Sequence, residues 1–158
     1  MSFATRLAAA ILIASTIAVQ AHSFTKGDIV VGHPWARATP DGATVGVGYI
    51  KITNNGKAAD RLTGGSFDGA DTLEIHEMTM DGDIMKMRQL KDGFEIAPGT
   101  TVELKPGGNH LMFTGLKKPI AVGPDSKATL TFEKAGAIDV EFRIEPFGAT
   151  ESADHKHE

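Results

Sequence analysis

The sequence predicts an all-β protein, an antiparallel β-sandwich of Greek-key type. Three observations carry that expectation. Apolar residues alternate with small or polar ones over short runs, as they do in strands buried on one face. About nine such runs follow one another, and the gaps between them hold Gly, Pro, Asn or Asp, the residues of tight turns. After residue 21 no stretch sustains the period of an amphipathic helix.

Residues 1–21, MSFATRLAAAILIASTIAVQA, stand apart from the rest. Arg6 precedes an apolar run from Leu7 to Val19, and Val19-Gln20-Ala21 is a small-x-small end. The run is short for a membrane span, which needs roughly 20 residues. It reads as a secretory signal peptide cleaved after Ala21, so the protein is expected to be exported, with no membrane span once the leader is gone. One domain is expected over residues 22–147. Its runs are, in order, DIVVGHPWARATPDG, TVGVGYIKITNNG, RLTGGSF, TLEIHEMTM, IMKMRQL, TVELKPGG, HLMFTGL, ATLTFEKAG and IDVEFRIEPF. Trp35 is expected to anchor the core, and His33 beside Pro34 to be structural. Residues 148–158, GATESADHKHE, are polar and are expected to form a flexible tail.

The formal net charge is −4, a poor match for nucleic acid or an anionic membrane surface. No Ser-His-Asp order, paired-carboxylate motif or nucleotide loop is present, so an enzyme is not expected. The chain has no cysteine. It therefore has no disulfide and no thiolate ligand, and a soft metal would have to be held by methionine sulfur.

The six methionines are not spread evenly: all but the initiator fall between residues 78 and 112. Asp81-Gly82 suggests a two-residue type I′ hairpin. That turn would set Met80 opposite Asp83, Met78 opposite Met85 and His76 opposite Met87. Side chains alternate along a strand, so His76, Met78, Met80, Met85 and Met87 would share one face. Glu77, Thr79, Lys86 and Arg88 would share the other. A lone methionine is most often a core gap-filler, but that role does not explain this concentration.

A second motif, PGGNHLMFTGL, places His110 and Met112 on one face of a strand, with Leu111 and Phe113 turned to the core. With His76 and Met87 it supplies two imidazoles and two thioethers. Zinc prefers thiolate, imidazole or carboxylate, and calcium and magnesium prefer oxygen. The mixed set suits Cu(I). Because an imidazole must be neutral to bind, affinity is expected to fall below about pH 6.5.

HEM…MKMR followed by LKPGGNHLMFTGL resembles the periplasmic copper chaperones called PCu(A)C, and GHPWARATPDGATVGVGYIKITNNG resembles that family's N-terminal half. Ten residues separate His76 from Met87, as in the family. Twenty-two separate Met87 from His110, one more than the family pattern. The resemblance implies a cupredoxin-like sandwich in the periplasm that binds Cu(I) through His76, Met87, His110 and Met112. It also implies delivery of copper to a partner such as a cytochrome c oxidase subunit, alongside a Sco-type protein.

Met78 and Met85 are possible auxiliary ligands. Cleavage after Ala21 would leave His22 as the N-terminus, where amine and imidazole together could grip Cu(II). His155 and His157 are a further possible Cu(II) site. The alternatives to a chaperone are a copper buffer or scavenger in the same compartment, or a copper enzyme built on His22.

Overall fold

The structure is a computed structural model that describes residues 22–152. The expected leader at 1–21, and His155 and His157, lie outside these residues. Among the described residues there is no helix, and the all-β expectation is met. Eleven strands form: β1 (Ser23–Lys26), β2 (Ile29–Arg37), β3 (Val45–Asn54), β4 (Asp60–Phe67), β5 (Thr72–Asp81), β6 (Ile84–Gln89), β7 (Phe94–Ile96), β8 (Thr101–Leu104), β9 (His110–Thr114), β10 (Ser126–Phe132) and β11 (Gly136–Glu145). The nine runs read from the sequence all become strands. The short β1 and β7 were not expected.

Hydrogen bonding runs in the order β1-β2-β11-β10-β4-β5-β9-β3-β8, and an additional β2–β3 pairing closes β2, β11, β10, β4, β5, β9 and β3 into a ring. The pairings are antiparallel except β11 with β2, which is parallel. Alternation then sorts the side chains. Each strand of the ring turns every second residue inward, and these residues form the core: Val31, Ile52, Leu62, Leu111, Phe113, Leu130 and Phe142 are all fully buried there. Its centre is aromatic. Phe67 stacks on Phe113 with centroids 3.9 Å apart, and Phe142 meets Phe113 edge-on at 5.6 Å.

Trp35 departs from expectation. It is buried, but Ala36 beside it occupies the core, so Trp35 lies on the other face of β2. There it meets Tyr49, with ring centroids 4.5 Å apart. Arg37 caps the pair: its guanidinium lies 5.4 Å from the Tyr49 ring centroid, and its Nε donates to the Ala149 carbonyl at 2.7 Å. Two residues before Trp35, His33 sits at a break in the β2–β3 register with φ of 49°.

Candidate metal centre

Two core pairs fix the site. Leu73 faces Phe113 and Ile75 faces Leu111 across β5 and β9, and all four are buried. The alternate residues must then point outward. In that set His76 is the direct partner of His110, and Glu74 of Met112. The two imidazole centroids are 5.7 Å apart, with planes inclined by 31°. Each histidine is only 8% exposed although both lie on the outer face.

The hydrogen bonds assign the nitrogens. His110 Nδ1 lies 3.1 Å from the Gly108 carbonyl, which can only accept. Nδ1 therefore carries the proton and Nε2 keeps a lone pair. The turn from Lys105 to Asn109 presents this carbonyl, with Gly108 N–H donating to Lys105 O at 2.9 Å and Gly107 at φ of 79°. His76 Nε2 lies 2.8 Å from the Glu74 carboxylate, which again accepts. Its Nδ1 is left with a lone pair, buried and without a hydrogen-bond partner. Such an orphan costs about 1–3 kcal/mol unless something binds it. Burial pushes the His110 pKa below its ordinary value, the Gly108 bond partly opposes this, and His76 adds to the lowering. The ring is therefore held in the neutral form that a metal needs.

The thioethers lie on either side. Met112, half-buried on β9, stands one rung inward beside Val47 of β3. Outward lies the β5–β6 hairpin, and here the predicted register is corrected. Met80 pairs with Met85, Met78 with Met87, and His76 with Gln89. Met78 does not face Met85, nor His76 Met87. The two-residue loop is Gly82-Asp83, with φ of 63° at Gly82. Among the described residues His33 alone is a non-glycine with positive φ, so Asp83 has negative φ. That matches a type II′ turn rather than type I′. The slip is by two residues, so the faces are kept: His76 and the four hairpin methionines still share one. The other face carries the ion pair between Lys86 and Asp81 and that between Arg88 and Glu77, 2.8 Å.

The correction changes which sulfur is near. Met78 is half-buried, follows His76 by two residues on the same strand, and faces Met87, which lies diagonally across from His76. Its N–H donates to Asn109 Oδ1 at 3.2 Å, tying the hairpin to the start of β9. Met87 and Met85 stand further out, about half exposed. The structure thus brings His76, His110 and Met112 together, sets Met78 and Met87 on the next rung of the hairpin, and leaves Met80 and Met85 at its tip. His22 is not part of this group. It precedes β1, with its carbonyl accepting from His33 N–H at 2.9 Å, and β2 and β3 separate β1 from β9. Glu74 was missed by sequence reasoning, although its position two residues before His76 on a strand put it on the same face. Among the described residues no three His, Asp or Glu side chains gather as a metal-binding group. The carboxylate beside the imidazole pair, Glu74, is engaged with His76 Nε2, and the thioethers of Met78 and Met112 also adjoin the pair.

A family model for LpqE-like lipoproteins matches residues 29–144. Lxx21020 of Leifsonia xyli subsp. xyli, a protein named as a lipoprotein, is 33% identical over 125 residues, which is 78% of this chain and 74% of that protein. Among solved structures, the copper-bound PCuAC domain from PmoF2 superposes with a TM-score of 0.67 at 28% identity, covering 79% of this chain and 98% of that domain. The Cu(I) form of DR1885 from Deinococcus radiodurans shares the fold, with a TM-score of 0.53 at 23% identity, covering 84% of this chain and 85% of that one.

Proposed function

We propose, from the premise that this chain belongs to the LpqE-like family of PCuAC domains, that it binds Cu(I) and passes it to a partner protein. The family is one of copper-binding chaperones, not of enzymes. The observation that carries the reading is the facing pair His76 and His110, each with one nitrogen fixed as a donor and the other left with a lone pair, with thioethers on the adjoining rungs. Neutral nitrogen and sulfur ligands suit a soft monovalent ion. The copper-bound relative supports the same cargo.

The ligands are His76, His110, Met112 and a hairpin thioether, Met87 by its spacing from His76. Met78 and Met85 are auxiliary. Met87 lies diagonally across the hairpin from His76, within reach of a long side chain. Release is ligand exchange: each bond to copper that breaks is replaced by one from the acceptor, and no electron is transferred. An exported copper protein of this kind would serve the copper centre of cytochrome c oxidase in the periplasm, with a Sco-type protein as the other partner. His22, His155 and His157 would add nitrogen sites for Cu(II) away from the main pair.

Anaerobic Cu(I) competition titration tests this. The wild type should bind one equivalent tightly, and His76→Ala, Met87→Ala, His110→Ala and Met112→Ala should each weaken it. Unchanged affinity in all four variants would remove the site.

A further inference from the structure

We propose that Met80 and Met85, backed by Met78 and Met87, form a second Cu(I) site at the hairpin tip, through which the ion enters or leaves the imidazole pair. The proposal rests on the Cu(I) reading above and adds a site to it. Met80 and Met85 are direct cross-strand partners, and Met78 and Met87 are the next pair on the same face. Direct partners have Cβ atoms about 4.5–5.5 Å apart. Successive pairs on one face lie about 7 Å apart along the strands. Four thioethers therefore form a two-by-two array that ends beside His76.

Core packing does not account for the array. Met80 is 62% exposed, Met85 54% and Met87 49%. These are values for side chains that fill no gap, and an exposed methionine gives up the burial for which the residue is usually chosen. The opposite face of the hairpin takes the charged residues, so the soft side chains are sorted onto one side. Among the described residues β6 pairs with β5 alone, and none of them covers its outer edge as a strand. Thioethers carry no proton to lose and no charge. Copper can pass from one pair to the next by forming one sulfur bond as another breaks, with no change in oxidation state.

The test uses the protein labelled with carbon-13 at the methionine methyls and titrated anaerobically with Cu(I), and in parallel with Ag(I). The Met80 and Met85 methyls should shift after the first equivalent is bound in the wild type, and from the start in His110→Ala. The double variant Met80→Leu/Met85→Leu keeps the apolar bulk and removes the sulfur. It should still bind a first equivalent at the imidazole pair, lose the later shifts, and give up Cu(I) to bicinchoninate several-fold more slowly. Both positions are exposed, so the variant is expected to fold. Met80 and Met85 methyls that stay unmoved through the later equivalents, once the first is bound, would overturn the outer site alone. So would wild-type release from the double variant. Failure of the wild type to bind the first equivalent would overturn the main site and this one with it.

Discussion

Glu74 is the residue that makes His76 usable. A free imidazole places its proton on either nitrogen. The carboxylate 2.8 Å from Nε2 holds the proton there and leaves Nδ1 as the donor. Removing such a partner from a metal-binding histidine typically costs about 10–100-fold in affinity. Glu74→Ala should therefore weaken Cu(I) binding by about 10–100-fold with the fold intact. Nitrogen-15 spectra of the apo variant should show His76 shifting from the Nε2–H tautomer toward a mixture. Wild-type affinity with an unchanged tautomer would show that Glu74 only fills space. His110 offers a separate check. Burial depresses its pKa below the ordinary value, so the ring takes up its proton at lower pH than a free imidazole does. A metal competes with that proton. The contribution of His110 to Cu(I) affinity should be lost at lower pH than that of a free imidazole would be. An NMR titration of His110 in the apo protein should have its midpoint below 6.5, and a midpoint above that value would contradict the assignment.

At the scale of the elements, what could be read in advance was whatever a single strand decides. Leu111 and Phe113 go to the core and His110 and Met112 to the other face because alternation leaves no choice once two large apolar residues are placed. The face of the hairpin was legible for the same reason. Its register was not. Asp81-Gly82-Asp83 offers glycine at either central position of a two-residue loop, and the two outcomes differ by two residues, so both keep every methionine on the same side. Turn type decides between them, and φ of 63° at Gly82 with a negative value at Asp83 selects the outer one. The short β1 and β7 escaped because three or four residues cannot display a period. β7, Phe94–Ile96, exists through its pairing with Asp60–Leu62 of β4. The facing of His76 and His110 was out of reach for a stronger reason. It depends on β5 lying beside β9, a contact between distant segments that nothing in either motif encodes.

Across the whole molecule, the site is the outer surface of a wall whose inner surface is the aromatic core. β9 carries both: His110 and Met112 outward, Leu111 and Phe113 inward. Its position between β5 and β3 depends on how closely β3 can approach. Gly48 on β3 faces Leu111 of β9 and Ala36 of β2. A Cβ at Gly48 would lie 2.5 Å from Phe113 Cζ and 3.0 Å from Phe142 Cε1. Both rings are fully buried and packed against each other, so neither can swing aside as a surface side chain would. Overpacking of this kind typically costs about 1–3 kcal/mol. Gly48→Ala should therefore lower the urea midpoint of the apo protein by an amount equivalent to about 1–3 kcal/mol. Because the strain falls on β9, its effect should not stop at stability. Phe113 follows Met112 directly, so displacing its ring moves the backbone that sets Met112 and His110 opposite Glu74 and His76. Cu(I) affinity should fall in Gly48→Ala although no ligand has changed. Wild-type affinity in a destabilised Gly48→Ala protein would mean that the outer face is insulated from the core.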